Sequence, residues 1–216
     1  MRCPLCETKQ NSLYYKNRKR EFYRCETCQL TFVPDTFHLS PFEEKKRYLH
    51  HQNSSEDSGY KKFLKILTEP LTKLLVPKVD FLGLDFGCGP SETLANLMKE
   101  EGYNFKSFDP YFKSKEELLD LKYDVITCSE AIEHFSKPGV EWKRLIKLLK
   151  PGGILAIMTQ LNSFEKKFSE WWYIRDLTHI SFFSSETFKW LGKRDNLSSS
   201  FHGNSVIIFK KKGVLK

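Results

Sequence analysis

At 216 residues and 40% apolar content, the chain is long enough for one domain of ordinary size plus a small appendage, with enough apolar residues for a core. No apolar run approaches the ~18–20 residues needed to cross a bilayer, and Met1-Arg2-Cys3-Pro4 opens no apolar signal region. A cytoplasmic, reducing location with no membrane partner is expected, where cysteines serve as metal ligands or bystanders rather than disulfides.

The appendage comes first. Cys3-Pro4-Leu5-Cys6 and Cys25-Glu26-Thr27-Cys28 form two C-x2-C knuckles separated by eighteen residues. Each knuckle offers two thiolates to one ion, and two knuckles complete a tetrahedron. Cys3, Cys6, Cys25 and Cys28 are therefore the candidate ligands of a structural zinc. Leu13-Tyr14-Tyr15 and Glu21–Arg24 read as the two strands of a hairpin between the knuckles. Residues 1–35 so resemble a zinc ribbon, a unit with little core of its own that draws folding energy from its metal. Cys88 and Cys128 sit in or beside predicted strands, as bystanders at a cleft.

Residues 36–80 read as a helical connector. Ser40-Pro41 with Glu43 is a helix start, with a capping side chain, a proline at the first position and an acid in the first turn. Ser58 opens a second stretch in which Phe63, Leu64, Leu67, Leu71, Leu74 and Leu75 recur at helical spacing, and Pro70 is expected to kink or divide it. These helices pack over the cleft, carry substrate contacts or serve as a brace. The net charge of +8 is uneven: residues 1–80 hold fifteen Lys/Arg against ten Asp/Glu. Lys16, Arg18, Lys19 and Arg20 lie among Tyr14, Tyr15, Phe22 and Tyr23. That mixture can contact phosphates and stack on unpaired bases, or can simply be a solvated basic hairpin.

Residues 81–216 carry the main domain. Phe81-Leu82-Gly83-Leu84 reads as a buried strand and Ser91–Met98 as the helix after it, joined through Asp85-Phe86-Gly87-Cys88-Gly89-Pro90. Two close glycines let backbone approach a ligand, and the helix N-terminus favours negative charge. Asp109 follows Gly89 by twenty residues. At the end of a second strand, it is placed to accept hydrogen bonds from ribose hydroxyls. A nucleoside-containing cofactor follows. The dinucleotide fingerprint needs a third glycine where Glu92 stands. Asp85, before the first glycine, puts negative charge near a cationic or amine-bearing group, which suits a methionine moiety.

Four blocks then stand in order: LDFGCG at 84–89, SFDPYF at 107–112, YDVITCSEAIEHF at 123–135 and LLKPGGILAI at 148–157. Together they resemble the class I S-adenosylmethionine (AdoMet)-dependent methyltransferases from about Phe81 to Phe209. The resemblance implies an α/β, Rossmann-like fold with a mostly parallel sheet and an antiparallel last strand, here Val206–Phe209. It implies AdoMet as cofactor, held by Asp85, Gly87, Cys88, Gly89, Asp109, Pro110, Tyr111, Ser129 and Glu130. Two departures stand out. Ser91 replaces a usual glycine, and only fifteen residues separate Asp109 from Asp124, so the sheet is expected to be trimmed at one edge.

Tyr123–Cys128 reads as a buried strand with Ser129–His134 at its carboxyl end, where ligands of open α/β sheets bind. Glu141–Lys150 reads as a helix ended by Pro151-Gly152-Gly153, Ile154–Thr159 as the next strand, and Ser198-Ser199-Ser200 as a loop. His134 and His179 are the side chains to weigh for catalysis, with Glu133, because histidine removes an acceptor proton near neutral pH. The pattern Glu130-x-x-Glu133-His134 with His179 downstream is similar to the metal set of small-RNA terminal 2′-O-methyltransferases. Ubiquinone-pathway O-methyltransferases carry similar residues, so a divalent ion is implied at Glu130, Glu133, His134 and His179. The acceptor is RNA or a small molecule. The Asn/Asp-Pro-Pro-Tyr motif of base methylation is missing, which argues against adenine N6 chemistry. A nucleic-acid- or partner-binding protein with a vestigial methyltransferase fold is the alternative.

Overall fold

The computed structural model describes residues 1–50, 57–163 and 167–213. Residues 51–56 of the connector and 214–216 of the main domain lie outside the described residues. The N-terminal module is a three-stranded antiparallel sheet: β1 (Asn11–Lys16), β2 (Glu21–Cys25) and β3 (Thr31–Phe32). Two helices follow, α1 (Pro41–His50) and α2 (Ser58–Thr72). The main sheet uses β4 (Gly83–Phe86), β5 (Phe105–Phe108), β6 (Tyr123–Ser129) and β7 (Leu149–Met158), with α3 (Thr93–Glu100) and α4 (Pro138–Leu148) between strands. After β8 (Ser181–Phe182) come α5 (Ser185–Arg194), β9 (Leu197–His202) and β10 (Val206–Lys211).

The six-stranded sheet has the order β5-β4-β6-β7-β10-β9. The first four strands are parallel, and β10 is antiparallel to both β7 and β9. No strand lies outside β5 among the described residues, so the expected trimmed edge is present. Between Asp109 and β6 the chain makes a turn closed by the Asp109–Lys113 bridge and a 3₁₀ turn, Glu116–Asp120.

Successive strand residues feed opposite faces, which is why the central strands read as continuous apolar runs. Val125, Ile154, Ala156, Val206 and Ile208 pack with Leu64, Leu67 and Leu71 of α2 and Leu94 and Met98 of α3. Ile126, Cys128, Leu155, Ile157 and Phe209 pack with Trp142 and Leu145 of α4 and Phe188 and Leu191 of α5. Cys3, Leu5, Cys25, Cys28, Leu30 and Phe32 of the N-terminal module belong to this second cluster. The module also joins the main domain through backbone, because β3 pairs with β8 (Thr31↔Phe182, Phe32↔Ser181). A Cβ at Gly139, in the first turn of α4, would meet the Leu5 carbonyl oxygen at 2.5 Å. Gly139→Ala should therefore destabilise the chain by about 1–3 kcal/mol, read as a lower midpoint in thermal unfolding.

The second helix opens at Ser58 as expected, and Asp57 before it is the cap, accepting from the N–H groups of Gly59 (2.7 Å) and Tyr60 (3.3 Å). Several local expectations change. Pro70 does not divide α2, which runs through it to Thr72, because the proline falls in the last turn. Pro151-Gly152-Gly153 lies inside β7, at a register shift opposite Asp124, and does not separate helix from strand. Ser198–Ser200 form part of β9, an edge strand whose solvent-facing serines mask its pairing with β10.

Candidate functional site

A cavity of about 1010 Å³ opens at the carboxyl ends of β4, β5 and β6. Gly87, Cys88, Gly89, Asp109, Pro110, Tyr111, Ser129 and Glu130 line it at one end, and Glu133, His134 and His179 at the other. The connector covers it with Glu44 and Tyr48 of α1 and Tyr60 and Phe63 of α2, so the helices expected over the cleft do lie there.

The loop after β4 depends on its glycines. Gly87 (φ +80°) and Gly89 (φ +64°) occupy the left-handed region that side chains disfavour. At Gly87 a Cβ would meet the Ala131 Cβ at 2.6 Å, whereas at Gly89, which lines the cavity, it would meet nothing within 4 Å. Asp109 ties this loop to the next: one carboxylate oxygen accepts from Gly89 N–H (3.0 Å), the other from Tyr111 N–H (2.8 Å) and Phe112 N–H (3.2 Å). A carboxylate offers about four lone-pair sites, so one remains for a ligand hydroxyl. Tyr111 donates its hydroxyl to Glu44 of α1 at 2.8 Å.

Asp85 is placed differently. It does not line the cavity but lies beneath the loop, 4% exposed, accepting from the Thr127 hydroxyl at 2.9 Å. Burial pushes its carboxyl up from 3.8 to about 7. The neutral form stabilises the fold below the ordinary value, and that contribution is lost as pH rises towards about 7. Asp85→Asn should flatten the fall in melting temperature over this window. An unchanged pH slope in the variant would refute the assignment.

At the other end of the cavity, two histidines are fixed by backbone. His134 Nδ1 lies 3.0 Å from the Thr178 carbonyl and His179 Nδ1 lies 2.8 Å from that of Tyr173. A carbonyl only accepts, so both Nδ1 atoms carry the proton, and in the neutral ring Nε2 is the nitrogen that keeps a lone pair. The rings stand 4.8 Å apart, and His134 Nε2 is 3.9 Å from Glu133 Oε1. Burial lowers the pKa of His179, with Glu133 opposing that shift.

Glu133, fully buried, accepts from the Thr159 hydroxyl at 3.0 Å and from the Tyr173 hydroxyl in a short bond. Donor atoms of Glu133, His134 and His179 all lie within 4.8 Å of one another. Glu130 falls outside this group, a correction to the expected four-residue set. Its backbone takes φ +45°, one oxygen lies 3.3 Å from the Tyr173 hydroxyl, whose single proton goes to Glu133, and the other is buried without a hydrogen-bond partner among the described residues. Burial and then the Glu133 charge push the Glu130 carboxyl up to about 9. Tyr173 joins both glutamates and packs its ring 4.0 Å from that of His179, yet no spacing marked it in advance.

In the N-terminal module the Sγ atoms of Cys3 and Cys28, and of Cys6 and Cys25, are each 3.5 Å apart, and all four lie within 4.8 Å of one another. A tetrahedral zinc with Zn–S near ~2.3 Å places its sulfurs roughly 3.8 Å apart, so the donor set fits that ion in number, type and spacing. Hydrogen bonds from Cys28 and then Cys3 hold the Cys25 thiol well below its usual value. Two residues of the basic hairpin are not free to touch nucleic acid: Arg20 is 2% exposed and Phe22 0%.

The profile of a family described as "methyltransferase domain" matches residues 59–198, well over half the chain. The chain belongs to this family, and its fold is that of the class I AdoMet-dependent methyltransferases. Among curated proteins it is similar to the ubiquinone biosynthesis O-methyltransferase of Serratia proteamaculans, 32% identical over 71 residues, 33% of this chain and 30% of that protein. The corresponding protein of Histophilus somni is 31% identical over 87 residues, 38% of this chain and 37% of that protein. The chain thus matches about a third of these relatives' length. Among solved structures, 1,6-didemethyltoxoflavin-N1-methyltransferase of Burkholderia thailandensis, with bound 1,6-didemethyltoxoflavin and S-adenosylhomocysteine, superimposes with TM-score 0.55 at 12% identity, covering 93% of this chain and 99% of that one. An AdoMet-dependent methyltransferase of Archaeoglobus fulgidus gives 0.54 at 17% identity, covering 70% and 94%. At these identities the likeness is one of fold.

Proposed function

We propose that the chain transfers a methyl group from AdoMet to a hydroxyl of a small, phosphate-free molecule. The observation that carries the reading is the Glu133–His134–His179 cluster, which shares one cavity with the glycine loop and Asp109. The names of the two curated relatives, both O-methyltransferases, support a hydroxyl as the methylated group. Glu44, Glu133 and Asp176 line the same cavity, against Lys137 and Arg144 as its lysine and arginine, and disfavour a phosphate-rich acceptor such as RNA.

In this reading Asp109 accepts from a ribose hydroxyl, and the open space at Gly89 admits the cofactor close to backbone. Gly87, Cys88 and Pro110 shape the walls, Tyr111 flanks the adenine, and Ser129 and Glu130 face the methionine end. Asp85 supports the loop from below. AdoMet supplies an electrophilic methyl on a cationic sulfur, so the chain's task is alignment and removal of the acceptor proton. His179, neutral because of its burial, and His134 each present an Nε2 lone pair for that proton. The same atoms with Glu133 fit a divalent ion, since metal-bound histidines donate the other ring N–H to carbonyls or carboxylates in this way. Such an ion would orient the hydroxyl and lower its pKa. Cys3, Cys6, Cys25 and Cys28 hold a structural zinc.

Asp109→Ala removes the ribose contact and frees Gly89, Tyr111 and Phe112. AdoMet binding measured by calorimetry should weaken by at least about tenfold, since each charged hydrogen bond is worth about 1.5–3 kcal/mol. Wild-type affinity in the variant would remove Asp109 from the site. The function is tested with methyl-labelled AdoMet and cell extract split into small-molecule and RNA fractions. Label should enter the small-molecule fraction and resist alkali, as an ether does. Label confined to a ribonuclease-sensitive fraction would refute the acceptor class.

A further inference from the structure

Arg20 takes no part in the chemistry above, yet it is among the most buried charged side chains described, 2% exposed. It ends the β1–β2 turn, where Asn17 Oδ1 accepts from the backbone N–H groups of Lys19 (2.8 Å) and Arg20 (3.0 Å). From there the guanidinium crosses into the main domain. Nη1 donates to the carbonyls of His179 (2.8 Å) and Leu177 (3.3 Å), and Nη2 to those of Ile174 and Asp176, both at 2.6 Å. The rings of Phe22 and Phe182 flank it at 5.0 and 6.0 Å. Burial draws its pKa down to about 10, against the pull of Asp176, so it stays charged at neutral pH.

Four carbonyl oxygens from residues 174–179 converge on this one guanidinium. A buried carbonyl left without a donor costs about 1–3 kcal/mol, and here no strand ladder supplies donors. A planar, always-charged fork can serve four acceptors at once, which an ammonium cannot. The same turn holds both histidines: Thr178 O takes His134 Nδ1, and His179 itself is hydrogen-bonded to Tyr173 O. The path from Arg20 to the two imidazoles runs through the backbone it fixes.

We infer that Arg20 is a positioning residue, holding the 174–179 turn so that His134 and His179 present their Nε2 atoms to the acceptor. The N-terminal module is then a working part of the acceptor site. The catalytic half of this inference rests on the proposed role of the two histidines, whereas the ordering of the turn does not.

The test combines hydrogen exchange with kinetics on the full chain. The amides to follow are those of Thr178, His179 and Ile180, bonded to Asp176 Oδ1, Asp176 O and Glu133 O. In Arg20→Gln they should exchange at least about tenfold faster than in wild type, with partial recovery in Arg20→Lys. Turnover should fall about tenfold or more in Arg20→Gln, at unchanged KM for AdoMet, with Arg20→Lys between. A residue that only stabilised the module would lower the melting temperature and leave turnover below it unchanged, and that result overturns the inference. Should both variants fail to fold, exchange of the wild-type chain in low denaturant decides. The hairpin 11–25 and the turn 174–180 must open together, and a turn still protected after the hairpin opens refutes the coupling. Failure of the methyl-transfer reading shows separately, as no turnover in the wild type.

Discussion

Replacing His179 by alanine is expected to lower turnover by about 10²–10⁴ at saturating acceptor while leaving AdoMet affinity intact, and His134→Ala should act alike. The expectation follows from the tautomers. Both Nδ1 protons are committed to backbone carbonyls, so each ring offers its other nitrogen to the cavity. Chelation separates the two ways that nitrogen can act. If the cluster works with a divalent ion, a chelator should abolish transfer, Mg²⁺ or Mn²⁺ should restore it, and AdoMet should still bind. If a histidine acts as a direct base, chelated enzyme should keep its rate so long as the cysteine module retains its zinc. Full turnover in both alanine variants would leave alignment as the sole source of catalysis.

Loss of the zinc proposed for the four cysteines is expected to have the largest effect on folding. Metal analysis should find one zinc per chain, and Cys25→Ser should abolish it. Structural zinc supplies about 10–16 kcal/mol in isolated finger peptides. In this chain the consequence should spread beyond residues 1–35, because Cys3, Leu5, Leu30 and Phe32 share a core with Ile126, Trp142 and Phe209. β8 should lose protection with β3, its hydrogen-bonded neighbour. A zinc-free protein with wild-type protease resistance would refute the assignment. A main domain untouched by zinc loss would show instead that the shared core does not couple the two parts.

Short-range chemistry made much of this legible in the sequence. Glycines at 87 and 89 signalled a loop whose backbone a ligand can approach, Asp109 signalled the end of the second strand, and the short gap to Asp124 signalled the trimmed sheet. The paired knuckles reported four sulfurs that meet in space. What stayed hidden depends on contacts distant in sequence. Arg20 looked like one more charge of a solvated hairpin, because its carbonyl partners lie more than 150 residues away. Glu44 and Tyr48 follow the helix start at Ser40-Pro41 with nothing in the sequence to single them out, although Tyr48 packs its ring 5.2 Å from that of His134. β8 spans two residues, too few for any periodicity. Tyr173 lies six residues before His179 with no pattern to mark it, and only folding brings its hydroxyl between Glu130 and Glu133.

Calorimetric titration of the purified chain with AdoMet tests the central claim most directly. The glycine loop, the Asp109 bridge and the covered cavity predict one-to-one binding at micromolar concentration, weakened in Asp109→Ala. No heat of binding at millimolar AdoMet from a folded wild-type chain would contradict the account and leave the fold as a vestige.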